Sequence, residues 1–442
     1  MTPHMPNTPD AQSFFVATLG CKINQYESES ISEAWRARGM VETNDPACAG
    51  VLLVNSCAVT ARAVSDLRSA VRRLRQQSPA ARIVVTGCAA QVLAEELAAM
   101  PEVDAVVPQS RKGELLAGPF APLPEPSALS APPRFPPFEI GAFRRARAVV
   151  KVQDGCSHHC TYCIVPLTRG ASVSRDPSAT VAEMRTLLSA GYRELVVSGV
   201  NLRQYGADLP EPHDFWALLA RIEAELAPEW AGRARLRLSS MEPGQLDSRA
   251  LDVLGTSCLV APHLHISLQS GDEGVLRRMG RGHYRPAQVL DFLRQLATHW
   301  PRLGLGADLL TGFPGESAEQ FETTLAFCRE LPLTYAHVFP FSPRPGTAAA
   351  RLPDPLPKAE RTARAARLRG LAEGKKRSFL KELAMLQKLT VLVENTQNGH
   401  GVCEFYAPCA VQGGNLRAGG LVALRPQGVE DGRVVGLAEV AP

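Results

Sequence analysis

Nowhere in the 442 residues do about 18 consecutive apolar side chains occur, the length a helix needs to cross a bilayer. The opening stretch, MTPHMPNTPDAQ, has no basic start followed by an apolar core, so export is not encoded either and a cytoplasmic location is expected. Neither sign of charge is in excess: 48 basic and 44 acidic side chains leave a formal +4, so any nucleic-acid surface has to come from local clustering. A disulfide framework is excluded too, because eleven cysteines is an odd number and a reducing compartment keeps thiols free. What is present is a globular composition, 45% apolar and 21% charged, long enough for about three domains of roughly 150 residues. Disorder, collagen and coiled coil are thereby ruled out for the whole, and the cysteines pose a question of metal or redox chemistry.

Three early segments share one plan: an apolar run of strand length, a small or polar residue, a cysteine, then helix-compatible sequence. They are FFVATLG before Cys21, VLLVNS before Cys57 and IVVTG before Cys88, with helices expected over 27–38 and 61–77. Cysteine spacings of 36 and 31 residues suit βαβ units and a parallel sheet. In such a sheet the carboxyl ends of the strands lie along one edge, where open α/β sheets bind ligands. Cys21, Cys57 and Cys88 are expected to converge there.

Residues 118–141 (GPFAPLPEPSALSAPPRFPPFEIG) hold too much proline for a helix or a central strand, so 119–141 reads as a linker after an N-terminal domain at 12–118. From 142 to 375 short apolar runs (RAVVKV, ELVVSGV, ARLRLSS, HLHISLQ, LGLGADLLTG, AHVFPF) alternate with helical segments at 180–190, 215–226 and 318–330. Repeated βα units imply a parallel barrel, and with about six strands countable a partial one is expected. The stretch 358–386 reads as a basic helix, either a solvated connection or an RNA-facing surface. Within 376–442 the runs KLTVLVENT, GVCEFYAPCAV, LVALRPQGV and GRVVGLAEV, separated by glycine-rich turns, fit a small antiparallel β-barrel of a kind that commonly binds oligonucleotides. The expected class is α/β: a parallel-sheet domain, a partial (β/α) barrel and a small terminal β-barrel.

The strongest local signal is DGCSHHCTYCIVPLTRG, which puts Cys156, Cys160 and Cys163 on one loop after the strand RAVVKV. Iron–sulfur clusters are held by cysteine thiolates, and three sulfurs can bind three irons of a cubane, leaving the fourth open to a substrate. Zinc with His158 or His159 as a fourth ligand is the competing reading. Zinc sites, however, more usually pair two ligands on one knuckle with two from a distant one.

C-x3-C-x2-C after the first strand of a βα barrel, with Tyr162 just before the last cysteine, resembles the radical S-adenosylmethionine (SAM) superfamily. TLGCKINQYESE around Cys21, VNSCAVT around Cys57, TGCAAQ around Cys88 and the terminal barrel, TRAM-like on this comparison, narrow the resemblance to the methylthiotransferases. It covers about residues 13–440 apart from the proline linker and is closest to the MtaB group. That resemblance implies two 4Fe-4S clusters, one on Cys156, Cys160 and Cys163 that cleaves SAM to a 5′-deoxyadenosyl radical, and an auxiliary one on Cys21, Cys57 and Cys88 that presents sulfur. It further implies that one SAM methylates this sulfur, that a second yields the radical, and that a methylthio group is placed on C2 of N6-threonylcarbamoyladenosine next to the tRNA anticodon. The implied partners are a tRNA anticodon stem-loop, a low-potential electron donor and a sulfur source, with no membrane. Related groups act on isopentenyladenosine in tRNA or on a ribosomal protein aspartate. From another class, an RNA-binding iron–sulfur protein without radical activity is the alternative.

By the same resemblance Ser198, Gly199 and Asn201, in SGVNLRQYG at the end of the second barrel strand, match the place where the superfamily contacts the SAM amino group. Glu242 in SSMEP, Gln269 in LQSG and the run LLTGFPGE at 309–316 also sit at strand ends, the face where barrel enzymes do chemistry; such residues are ordinary turn formers too. Tyr162 either packs on the adenine of SAM or fills core. Cys48, Cys258, Cys328, Cys403 and Cys409 lack ligand spacing and read as small buried hydrophobes. Arg144, Arg145, Arg147 and Lys151 read either as a solvated entry strand or as phosphate contacts. The target adenine is expected to be extruded into the pocket.

Overall fold

The computed structural model describes residues 10–120, 134–211 and 213–439, so most of the expected proline linker lies outside the described residues. The N-terminal region is a sheet of five parallel strands, β1 (Asp10–Thr18), β2 (Val41–Glu42), β3 (Ala49–Ser56), β4 (Arg82–Gly87) and β5 (Ala105–Pro108), in the order β2-β1-β3-β4-β5. Helices α1 (Lys22–Ala37), α2 (Ala61–Gln77), α3 (Cys88–Val92) and α4 (Ala94–Ala98) connect them. Strand β3 is buried along nearly its whole length, which is why it reads as a continuous apolar run rather than an alternating one. The chain leaves β1 for the outer edge and returns on the other side as β3, so the carboxyl ends of β1 and β3 flank the crevice at the switch of strand order. Helix α1 starts five residues earlier than its apolar pattern suggests. Its first turns bury the polar Asn24, Glu27 and Ser28, which hide the helical period.

The central region follows as β6 (Ala148–Lys151), the short pair β7 (Gln153–Asp154) and β8 (Val173–Ser174), then β9 (Glu194–Ser198), β10 (Arg235–Leu238), β11 (His263–Gln269), β12 (Gly304–Thr311) and β13 (Tyr335–Pro340). Strands β6, β9 and β10 pair in parallel, as do β11, β12 and β13. Backbone bonds from Met241 to His265 at 2.7 Å and from Ser267 to Met241 at 2.8 Å stitch the two halves into one six-stranded arc, the expected partial barrel. Its helices are α5 (Val165–Arg169), α6 (Pro177–Ser189), α7 (Phe215–Trp230), α8 (Ser248–Thr256), α9 (Glu273–Arg278), α10 (Pro286–Leu296) and α11 (Ala318–Glu330). Asp176, Asp214, Asp247 and Ser317 cap α6, α7, α8 and α11 by accepting backbone N–H bonds. On the convex side Met184, Leu219, Leu254, Phe292 and Phe321 from these helices share one core with Leu195, Leu264 and Leu305 from the strands.

Helix α12 (Lys358–Ala384) is not a solvated connection, because one of its faces is buried. It buries Ala365, Leu368 and Ala372 toward β13, the last strand of the arc, and Leu380 and Leu383 in the core of the terminal region. Covering β13 in this way shields an open strand edge. The terminal strands β14 (Leu389–Asn395), β15 (His400–Cys403), β16 (Pro408–Gln412), β17 (Leu421–Glu430) and β18 (Arg433–Ala438) close a barrel in the order β14-β15-β16-β18-β17. GVCEFYAPCAV makes two strands rather than one, turning at Tyr406 with φ of 62°. The β16–β18 seam is parallel, a correction to the wholly antiparallel expectation. A closed ring with an odd number of strands cannot alternate direction at every seam.

Candidate active site

Cys21, Cys57 and Cys88 follow three neighbouring strands. Cys21 directly precedes α1 without capping it through its side chain, Cys57 comes directly after β3, and Cys88 opens α3 directly after β4. Two glycines permit the close approach. Gly20, at φ of +109°, lies where an added Cβ would be 2.6 Å from Cys57 Cβ and 3.2 Å from its Sγ; one on Gly87, at φ of +97°, would meet the Ser56 carbonyl oxygen at 2.3 Å. Burial pushes the Cys57 thiol up, and the nearby Cys88 and Cys21 thiols push it further. Cys57 is thus near enough to feel both other thiols, with Cys57 and Cys88 buried and Cys21 exposed.

The second trio sits between β7 and α5. Cys163 donates its backbone N–H to the Cys160 carbonyl at 3.0 Å, and the loop is pinned by Thr161 N–H to the Met279 carbonyl at 3.0 Å and Ala349 N–H to the Thr161 carbonyl at 2.7 Å. Burial pushes the Cys163 thiol up to about 12 and raises Cys160 as well. Asn201 Nδ2 lies 3.5 Å from Cys156 Sγ, and Arg281 Nη1 lies 3.8 Å from Cys160 Sγ. Arg281 also donates to Glu242 at 2.9 Å, and His283 Nε2 contacts the same carboxylate oxygen at 2.8 Å. Burial alone would raise Glu242, but His283 and Arg281 outweigh it and keep the carboxyl below its usual range.

Of the other candidates, Ser198 is buried at the end of β9, where its carbonyl accepts from Val152 N–H at 2.9 Å. Gly199 lies against Gln153, where an added Cβ would be 3.0 Å from that side chain, and Asn201 N–H donates to Gln153 Oε1 at 2.8 Å. Gln269 ends β11 in a left-handed conformation, φ of 64°, at a bulge. Tyr162 packs on an apolar group of Val275, Met279, Phe313 and Phe341. In the 309–316 run, Glu316 is taken up by Arg364 and by Gly312 N–H, a structural use.

A charged network that the sequence reading missed links the two trios. Arg169 Nη1 donates at 2.8 Å to both Glu27 Oε1 and Asp154 Oδ1, and its Nη2 donates to Asn24 Oδ1 at 2.7 Å. Lys151 bridges Glu27 at 2.7 Å and Asp154 at 2.5 Å; Lys112 bridges Glu27 at 2.6 Å and Asn55 Oδ1 at 2.9 Å. Arg169 and Asp154 flank the second trio, while Asn24, Glu27 and Asn55 flank Cys21 and Cys57. Burial pushes Glu27 up, but Arg169, Lys112 and Lys151 overcome this and hold it well below the usual carboxylate range. Lys151 is therefore neither a solvated strand residue nor a phosphate contact, being fully buried and doubly paired. A lone lysine inside the apolar run AVVKV was the available signal, since a buried cation needs a partner. Arg144 and Arg147 are also engaged, with Glu29 at 3.4 Å and Glu394 at 2.8 Å, and Arg145 is exposed. Of the remaining cysteines, Cys328, Cys403 and Cys409 are buried as expected; against expectation Cys258 is exposed, two residues past the end of α8, and Cys48 is half-buried at the end of the short 3-10 turn Pro46–Cys48.

Fold and cysteine loop together define a radical SAM enzyme, a transferase. The Radical SAM superfamily model matches residues 150–328, and the model described as Uncharacterized protein family UPF0004 matches 13–108. The radical SAM methyltransferase TsrM from Kitasatospora setae, solved with cobalamin and a 4Fe-4S cluster, shares the fold at a TM-score of 0.56 and 15% identity over 77% of each chain. The class works with an iron–sulfur cluster and SAM. Sequence relatives narrow it: the threonylcarbamoyladenosine tRNA methylthiotransferase MtaB of Rickettsia prowazekii is 36% identical over 87% of this chain and 88% of its own, and that of Bacillus subtilis 35% identical over 80% and 79%. The chain belongs to the MtaB family of tRNA methylthiotransferases. No helix among the described residues is long and apolar enough to cross a membrane.

Proposed function

We propose that the protein converts N6-threonylcarbamoyladenosine beside the tRNA anticodon to its 2-methylthio derivative, with Cys156, Cys160 and Cys163 holding one 4Fe-4S cluster and Cys21, Cys57 and Cys88 a second. The first cluster together with SAM supplies the one-electron chemistry that a C–H bond on adenine requires, and the second supplies a place for sulfur. The donor sets suit this. Each is three free thiols, one set at the ends of neighbouring strands and one on a single loop, and Asn201 Oδ1 beside Cys156 is buried with no protein partner, as expected of a group facing a bound molecule. Asn201 and Arg281 orient the sulfurs of Cys156 and Cys160, and Arg281 is itself aligned by Glu242. Ser198, Gly199 and Gln269, at the ends of β9 and β11, would contact SAM, whereas Tyr162 fills core. A low-potential electron donor, a sulfur source and the anticodon stem-loop are the partners this chemistry needs, and the terminal barrel is the TRAM-like RNA-binding part.

The observation that carries the reading is that both trios are tied to one buried ionic network, so their separation is set by the fold. Anaerobic reconstitution should give about eight irons per chain. In Cys156→Ala the cleavage of SAM to 5′-deoxyadenosine should be abolished, whereas Cys57→Ala should retain some cleavage and lose sulfur insertion, read by mass spectrometry of tRNA nucleosides. Full methylthiolation by both variants would overturn the assignment.

A further inference from the structure

Apart from the two cysteine trios, the concave face of the arc carries another set of metal-ligating side chains, none of them a cysteine. His265 on β11, Asp308 on β12 and His337 on β13 come from three adjacent strands. The alternate residues Leu264, Ile266, Leu305, Ala307 and Val338 belong to the core under the outer helices, so the triad faces inward. His265 Nε2 lies 3.1 Å from Asp308 Oδ1, His337 Nδ1 lies 3.2 Å from the same oxygen, and the three donor atoms are all within 4.8 Å of one another. A divalent ion with bonds of roughly 2.0–2.1 Å sets neighbouring donors about 3.0–3.4 Å apart, so two edges of a coordination shell already have the right length. His337 is 57% exposed and has room to close the third edge.

The triad has outer support, although Lys22, Arg147 and Arg237 lie near the neighbouring His263. The other nitrogen of His265, Nδ1, is 3.0 Å from the Tyr335 hydroxyl, which in turn is 2.9 Å from His263 Nε2. That is the outer support that orients a ligating imidazole. Gly306, beneath the triad, leaves space that a Cβ would fill at 2.5 Å from His265 Nδ1. Arg237, which approaches this corner, is neutralised by two contacts to Glu194 at 2.8 and 2.9 Å. Tyr335 and His337 also line a cavity of about 760 Å3 between β13, α12 and the terminal barrel, so the triad borders it through His337.

We infer that His265, Asp308 and His337 form a binding site for one divalent cation of the zinc and cobalt class, two imidazoles and a carboxylate being the donor set such ions take. Binding takes the place of the contacts that now join Asp308 to the two imidazoles, and solvent completes the shell on the exposed side of His337. The inference does not depend on the substrate proposed above.

Cobalt(II) is the probe, added to the full chain after anaerobic loading of the cysteine sets with iron and sulfide. The expected result is one cobalt per chain beyond the iron, with weak ligand-field bands and no thiolate-to-metal charge-transfer band. His337→Ala, at an exposed position, should weaken cobalt binding at least tenfold with iron content and melting temperature unchanged. Asp308→Asn should do the same, and Tyr335→Phe should weaken binding about tenfold through the lost outer contact. Equal cobalt uptake by His337→Ala and wild type, a thiolate band in the wild-type spectrum, or no uptake at all overturns the inference.

Discussion

Replacing Glu27 by glutamine keeps its shape and removes its charge from a site with no access to water. The network around it contains three cations, Lys112, Lys151 and Arg169, and two carboxylates, Glu27 and Asp154, all essentially buried, so its internal charge is 3 − 2 = +1 and becomes +2 in the variant. Removing one partner of a buried pair costs about 3–5 kcal/mol, because the other charges remain without compensation. At about 2–4 °C per kcal/mol for domains of 150–250 residues, the melting temperature should fall by roughly 10 °C. Acid dependence gives a second reading. Glu27 is held below its ordinary value of 4.5 in the folded chain, so its contribution is fully present above that pH and is lost as pH falls toward the depressed folded value. The acid limb of the wild-type stability curve below about pH 4.5 should therefore flatten in Glu27→Gln, while the two curves run parallel from pH 5 to 7. The assay is thermal unfolding of the iron-loaded proteins across pH, with iron counted before melting. A Glu27→Gln protein that melts within 1–2 °C of wild type, with an unchanged acid limb, would refute the argument that this network holds the two trios in register (about 0.5 kcal/mol at that scale).

Gly20→Ala should displace Cys57, since the new Cβ would lie 2.6 Å from Cys57 Cβ at a backbone φ of +109°. Iron after reconstitution should fall from about eight to about four per chain, and SAM cleavage should survive in part. Arg237→Gln removes the bidentate partner of Glu194 and the bonds to the Glu404 and Cys403 carbonyls at 3.2 Å. Limited proteolysis should then release the terminal barrel faster with cluster iron unchanged, and a loss of about 3–5 kcal/mol is expected in unfolding.

The cysteine plan was legible because each thiol follows a strand whose apolar run marks it, and because three adjacent parallel strands must end on one edge. The arc was legible from six apolar runs. Elements whose pattern is broken by buried polar groups were harder to read: the first turns of α1 bury Asn24 and Glu27, and β2, two residues long, has no period at all. Glu242 was visible as a strand-end carboxylate, but its partners Arg281 and His283 come from the loop after α9 and leave no linear trace. The same holds for Arg169, whose partners Asn24 and Glu27 lie on α1, more than 140 residues earlier in the chain. Such residues are set by long-range folding, and a sequence period reports only what repeats locally.

Tyr406 and the strands beside it meet the floor of the arc: its ring lies 4.6 Å from that of His263 and 5.0 Å under the Arg237 guanidinium, while Arg235 and Arg237 donate to four carbonyls of the terminal barrel. Together with the unbroken α12, this makes the terminal barrel a jig rather than an arm on a tether. Whatever it grips is presented to the cysteine loops at a bearing fixed before the ligand arrives, and reach is traded for aim.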